Sequence, residues 1–558
     1  MTTPSLILHN AKVYTVDESQ PWADAIAISG SHIVSVGSSR QILAGRNHDT
    51  EILDLDGHLV LPGLCDAHIH FFEWSLGLGQ LKLAGVRSKA DMLDAVGSWA
   101  LTREPDSWVI GRGWNETLWS DATMPTRREL DEFSLDGQPV ILWRSDMHCA
   151  VANSRALSIA SIDNATTDPE GGFIGHHADG EPDGRLFELA INLVTPFIPE
   201  PSPADLEDAY IRGMRSLHAL GVTAIHSQRM KDQREGPLSF NTLLRLQENG
   251  ALRLRVNSNI AAHDVPYLGA LGLRCGFGND YLRLGHIKLF ADGTLGSRTA
   301  WMLDPLESVE RDDPHAFGVC LTKPSEMAIV VEMAGKFGFP VSIHAIGDRA
   351  NREVLDILEE LASSAPPQGI SHRIEHVQII DPADVDRLKA LNITASVQPI
   401  HALDDMEIAD RLLGARSDRA YRFGTLVRSG ARVVFGSDAP VADPNPFLGF
   451  HAAMFRQRPD AMSDAPWHGD ERLSLEQTIY GYTLGAACAA GWHDSIGSIT
   501  PGKRADLIVL DRDLFSLKDQ GLNSRAIADT RVLTTIFDGE IVYQSHNDSL
   551  APENRDRS

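Results

Sequence analysis

Short apolar runs punctuated by polar turns recur along the whole chain, and their spacing changes between its ends and its middle. From residue 5 to 60 the runs are strand-like: Leu6 to Val16, Ala25 to Ile28 and Ile33 to Val36, with Ser29-Gly30-Ser31-His32 and Asp56-Gly57 as hairpin turns. This part has too little apolar content to form a core alone. Two stretches near the far end, Ala505 to Leu510 and Val532 to Tyr543, have the same character. A small β-sandwich built from both termini, residues 1–60 plus 495–558, would cover the exposed strand edges of each half.

Between them, residues 61–494 alternate strand-like and helix-like segments, the pattern of a parallel barrel. The predicted fold is α/β, a (β/α)8 TIM barrel. Its strands are expected near 59–66, 138–145, 221–227, 282–290, 339–344, 371–376, 392–398 and 431–437. Helices are expected over Asp205 to Leu220 and Asn351 to Ser363. The connection after barrel strand 1, about 71–137, is too long for one helix and reads as an inserted subdomain, either a lid or a unit packed on the flank. The polar stretch 161–185 reads as loop or hairpin; its adjacent His176 and His177 point opposite ways on an extended chain and do not make a ligand pair.

Length and charge narrow the function. The 558 residues suffice for one large and one small domain. The net charge of −26, from 50 Lys+Arg against 76 Asp+Glu spread along the chain, disfavours nucleic acid and anionic lipid as partners. No signal peptide and no apolar run of roughly 18 residues stands out, so the expectation is a soluble, cytoplasmic protein without a membrane partner. Five scattered cysteines, Cys65, Cys149, Cys275, Cys320 and Cys488, read as thiols in a reducing compartment.

Candidate chemistry gathers where apolar runs stop. Leu61-Pro62-Gly63-Leu64-Cys65-Asp66-Ala67-His68-Ile69-His70 ends in two histidines spaced i, i+2, which share one face of a strand and can meet one metal ion. Later runs end in Ile287-Lys288-Leu289-Phe290-Ala291-Asp292-Gly293-Thr294, His344-Ala345-Ile346-Gly347-Asp348, Arg373-Ile374-Glu375-His376 and Gly436-Ser437-Asp438. The ordered set His68, His70, Lys288, His344, His376 and Asp438 resembles the amidohydrolase superfamily, and the detail is similar to its YtcJ-like branch, which includes N-substituted formamide deformylases. The similarity runs from the first strands to Pro501-Gly502-Lys503-Arg504-Ala505-Asp506-Leu507.

The resemblance implies two divalent metal ions, Zn²⁺ favoured by the histidines. His68, His70 and Asp438 would hold one ion, and His344 and His376 the other. Lys288, carboxylated by CO₂, would bridge them. A hydroxide bridging ions about 3.5–4 Å apart would attack the carbonyl of a small-molecule amide. Asp438 would move the proton to the departing nitrogen. The expected activity is hydrolysis of a non-peptide, amide-type C–N bond, in an N-substituted formamide or related amide. Alternatives are a mononuclear deaminase of the same superfamily, against which Lys288 argues because a mononuclear site needs no bridge, and a non-catalytic scaffold on the same barrel; an ion pair of Lys288 with Asp292 would leave a site for one metal. His148, His226, Arg298 and Gln398 are further candidates for substrate contact, and Trp74, Trp114 and Trp119 for an apolar wall. The family resemblance also allows a homodimer.

Overall fold

The computed structural model describes residues 3–135, 137–230, 235–307, 309, 313, 316–361, 369–459, 465–519 and 524–545. Positions 362–363 of the helix expected up to Ser363, and the tail beyond 545, lie outside the described residues.

Eight parallel strands form the central sheet, in chain order: Leu64–Ile69, Val222–Ser227, Arg255–Ala261, Leu282–Phe290, Val341–Ala345, Arg373–His376, Thr394–Val397 and Arg432–Phe435. The last strand leads back to the first. The Asp438 N–H donates to the His68 carbonyl at 2.6 Å, and the His70 N–H to the Ala439 carbonyl at 2.9 Å. Glycine is required at 436 for this closure, because a Cβ there would lie 2.4 Å from the His68 nitrogen. The strands are almost wholly buried because helices cover their outer faces. Helix Pro203–Ala219 shows how these helices are written: the Ser202 hydroxyl accepts the Asp205 N–H, Pro203 occupies the first turn, and Leu206, Tyr210, Met214 and Leu217 form the buried stripe.

Two strand assignments are corrected. The run at 138–145 is a strand, Val140–Arg144, but it pairs with Val109–Trp114 and Cys149–Ala152 in a separate six-stranded sheet. That sheet draws its strands from Leu81 to Glu188, so the insertion expected over 71–137 extends at least to Glu188. Its last two strands, Gly172–His176 and Pro182–Glu188, form the hairpin expected near 161–185. The second barrel strand is therefore Val222–Ser227, and the third is Arg255–Ala261, which had no counterpart in the expected set. The first barrel strand also begins later, at Leu64; residues Leu59–Pro62 belong to the sandwich.

The sandwich draws on both ends of the chain. Leu6–His9, Ala25–Ser29, His32–Gly37 and Glu51–Asp54 form one sheet. Leu59–Pro62 pairs with Lys12–Tyr14 on one side and Leu507–Leu510 on the other in the second. Leu8, Ile26 and Leu53 pack against Val60, Leu507 and Ile536 between the sheets. Arg255, fully buried at the start of the third barrel strand, pins this unit to the barrel: its Nε is 2.6 Å from Asp506 and its Nη2 2.9 Å from Asp538. Tyr281 donates to the same Asp538, and Arg504 reaches Asp280 at 2.7 Å.

Candidate metal centre

Strand 1 brings His68 and His70 to the closing seam of the barrel, and Asp66 locks the seam. Its carboxylate accepts the His68 N–H at 3.0 Å, and the Ser437 N–H and hydroxyl at 3.0 and 2.5 Å. Burial pushes the Asp66 carboxyl up to about 6 despite these donors. The next residue, Asp438, takes a left-handed backbone at φ 60°, a costly conformation for a side chain with a Cβ, and is thereby turned toward the histidines. Its Oδ1 lies 3.2 Å from His68 Nε2 and 3.1 Å from His70 Nε2. His376, at φ 76°, is the second such residue at the site.

Three of the four imidazoles are oriented through their other nitrogen; His70 Nδ1 is buried without a hydrogen-bond partner among the described residues. His68 donates Nδ1–H to Glu375 at 2.6 Å. His376 donates Nδ1–H to Gln398 Oε1 at 2.7 Å, and His344 donates Nε2–H to the Gly293 carbonyl at 3.0 Å. These bonds leave His68 Nε2, His376 Nε2 and His344 Nδ1 as lone-pair donors. The rings of His68 and His376 are 4.9 Å apart, and those of His376 and His344 4.5 Å apart. Ligand atoms of His68, His376 and Asp438 all lie within 4.8 Å of one another. Burial keeps His70, His344 and His376 neutral by lowering each below the ordinary histidine value. Burial raises the Asp438 carboxyl, but the attraction of His68 outweighs it and holds the group well below the usual carboxylate range.

The residues fit a metal. With Nδ1–H committed to Glu375, His68 sets its buried Nε2 3.2 Å from Asp438 Oδ1, and neither atom has a hydrogen-bond partner among the described residues. A buried pair of this kind is satisfied by a proton or a metal ion between the two atoms, and neutral His70, His344 and His376 add the further donors that a metal needs. Imidazole nitrogens and a carboxylate are the donor set of divalent zinc and its neighbours.

Lys288 is buried on the fourth strand, with its ammonium 4.7 Å above the Phe290 ring. Asp292 is occupied by the N–H groups of Ile346, Gly347 and Trp301, and it lies 3.6 Å from His344. His148 lines the cavity above the ligands, its ring 5.3 Å from that of His344 and its Nδ1 2.8 Å from Glu188. His226 is elsewhere: fully buried, it accepts from Arg373 at 2.7 Å beneath the site. Gln398 supports His376 from behind. Trp114 and Trp119 donate to backbone carbonyls inside the core of the inserted sheet, Trp74 packs on Phe71, and Arg298 is exposed; none of the four lines the cavity.

Two buried residues that matter here escaped the sequence reading. Glu375, wholly buried, gathers His68, the Ser342 hydroxyl at 2.6 Å and Arg373 at 2.5 Å. Arg373 in turn donates to the Ala67 carbonyl and the Ser396 hydroxyl, each at 2.6 Å. Their signal was the alternation Arg373-Ile374-Glu375, which on a strand points both charges into the barrel.

The chain's relatives share this architecture. Residues 51–543 match the Amidohydrolase family. The protein LONG AFTER FAR-RED 3 of Arabidopsis thaliana is 33% identical over 94% of this chain and 90% of its own length. The putative amidohydrolase YtcJ of Bacillus subtilis is 29% identical over 96% and 99%. The N-substituted formamide deformylase of Arthrobacter pascens is 27% identical over 97% and 98%. Among solved structures, an uncharacterized metal-dependent hydrolase from Pyrococcus furiosus is 28% identical and superposes with a TM-score of 0.70 over 91% of this chain and 99% of that one. The chain belongs to the amidohydrolase family, as a YtcJ-like metal-dependent hydrolase.

Proposed function

We propose that this hydrolase cleaves an amide-type C–N bond in a small molecule, an N-substituted formamide or a related amide. The observation that carries the reading is the unpartnered His68 Nε2 beside the Asp438 carboxylate, with neutral His344 and His376 next to them at a cavity of about 220 Å³. In this reading His68, His70 and Asp438 would hold one divalent ion, His344 and His376 would hold a second, and Lys288, carboxylated at Nζ, would be a ligand to both. Bound divalent ions supply a water nucleophile deprotonated near neutral pH and a Lewis acid for the amide carbonyl.

The chain's own groups perform the rest. Asp438 is fixed by the seam of the barrel, takes a proton at its carboxylate and returns it to the departing nitrogen. Glu375 holds the His68 tautomer. Glu188, which also accepts from Thr299 at 2.6 Å, holds the ring of His148 over His344, where its Nε2 can donate to the substrate. The convergence of His68, His376 and Asp438 on one point favours a second reading, a single-ion deaminase.

Metal content by elemental analysis, on wild type and Lys288→Ala prepared in bicarbonate, separates the readings when measured with formate release from N-benzylformamide. The expected result is two ions and formate for wild type, and fewer ions without formate for the variant. One ion in both proteins, with ammonia released from an amino-substituted ring, would replace the amide reading by the deaminase.

A further inference from the structure

The wall of the cavity facing the histidines carries chemistry that metal binding does not use. Helix His401–Leu413 follows the seventh barrel strand, and His401, Asp404, Asp405 and Ile408 all line the cavity. Their spacing, i, i+3, i+4 and i+7, is one face of a helix. His401 is 7% exposed, lies nearly parallel to the His376 ring at 6.3 Å, and its buried Nε2 has no hydrogen-bond partner among the described residues. Asp405 accepts from the Tyr421 hydroxyl at 2.5 Å. The Asp404 carboxylate has no hydrogen bond or ion pair among the described residues, and its exposed side chain borders the cavity.

The other charges around the cavity are matched. Arg144 is held by Glu116 at 2.8 Å and Asp146 at 2.7 Å, and Asp146 also accepts from Ser297. The carboxylate that no hydrogen bond or ion pair takes up is therefore Asp404, on the helix face that borders the same cavity as the histidines. Leu118 and Phe290 add apolar surface to that cavity.

We propose that this helix face, with Asp404 as its centre, binds a protonated amine or similar cationic N–H group on the substrate, so that the preferred substrate is an amide with a cationic substituent and an apolar body. The inference rests on the amide-hydrolase reading for the scissile bond, but not for the recognition. A cationic substituent is drawn to Asp404 and repelled from the metal pole, which turns the amide carbonyl toward the histidines. Amides bearing a carboxylate on the same substituent are rejected by the same charge.

The test compares N-benzylformamide with its 4-(aminomethyl) and 4-carboxy analogues on the zinc-loaded full chain. Binding is measured by calorimetry and turnover by formate release. Wild type should bind the aminomethyl analogue about tenfold more tightly than the neutral parent, the scale of one hydrogen-bonded charge pair. In Asp404→Asn that advantage should shrink to within about twofold. Asp404→Lys should reverse the order and favour the carboxy analogue, a result that loss of a first-turn helix contact would not produce. Equal binding of all three by wild type, or an advantage that survives in Asp404→Asn, overturns the proposal. An Asp404-dependent binding preference without formate sustains the recognition and removes the deformylase substrate; formate release with no preference does the reverse.

Discussion

Two fully buried arginines, Arg255 and Arg373, each open a barrel strand, and the networks they anchor end differently. Around Arg255 every charge meets its opposite: Asp506 and Asp538 take the guanidinium, while Tyr281 and Arg504 complete Asp538. The network is closed, and its product is a joint between sandwich and barrel. From Arg373 the chain of complementary contacts runs through Glu375 to His68, then stops at a His68 Nε2 and an Asp438 Oδ1 that have no hydrogen-bond partner among the described residues. A closed network holds protein to protein; an open one holds something the chain does not supply.

The contrast can be broken at each end. The largest effect is expected at the open terminus: Asp438→Asn should lower kcat by roughly 10²- to 10⁴-fold while leaving the thermal midpoint close to wild type. Near-normal kcat would remove Asp438 from proton transfer. In the closed network, Asp506→Ala strands Arg255 without its main partner and should cost about 3–5 kcal/mol of stability, read from denaturant unfolding, while the folded enzyme keeps its kcat within about twofold. A large loss of kcat there would mean that the joint also shapes the site.

Glu375→Gln sharpens the comparison, because this residue belongs to both kinds of contact. Its effect on zinc affinity should be a drop of about 10- to 100-fold, measured by competition with a chromophoric chelator. Unchanged affinity with a lowered melting point would make Glu375 a partner of Arg373 alone.

A separate effect is a pH dependence on the sandwich side. His218 bonds the Arg253 carbonyl at 2.7 Å, its own carbonyl accepts from Thr535, and burial pushes the ring down to about 4. The native state therefore refuses a proton that the unfolded chain accepts near 6.5. The stability His218 contributes is complete above pH 6.5 and drains away as pH falls toward 4, by about 3 kcal/mol over that span. His218→Asn should flatten that part of the stability profile; an unchanged slope would assign the acid sensitivity to other buried histidines.

Much of this arrangement was legible in the sequence because the candidate ligands sit where apolar strands end. His68, His70, Lys288, His344, His376 and Asp438 all stood out for that reason. Val140–Arg144 misled because it is buried along its whole length in the inserted sheet, as a barrel strand is in the barrel, and local pattern does not say which sheet covers it. Arg255–Ala261 was missed for the opposite reason: Asn257, Ser258 and Asn259 are buried polar residues inside the barrel, so the strand lacks the apolar run that announces its neighbours. Helix His401–Leu413 was not among the helices read from the sequence, and its acidic face could not have been singled out there, since a face turned to a cavity has the same spacing as one turned to bulk water.

Gly63 is the one residue between the sandwich strand Leu59–Pro62 and the histidine-bearing strand Leu64–Ile69, and its N–H donates to the Asp506 carbonyl at 2.8 Å. The partner strand, Leu507–Leu510, lies far later in the chain. The strand that carries His68 and His70 is therefore framed through a contact of very high sequence separation, the kind that forms late in folding. A chain cut before Leu507 would carry both histidines without the strand that frames theirs.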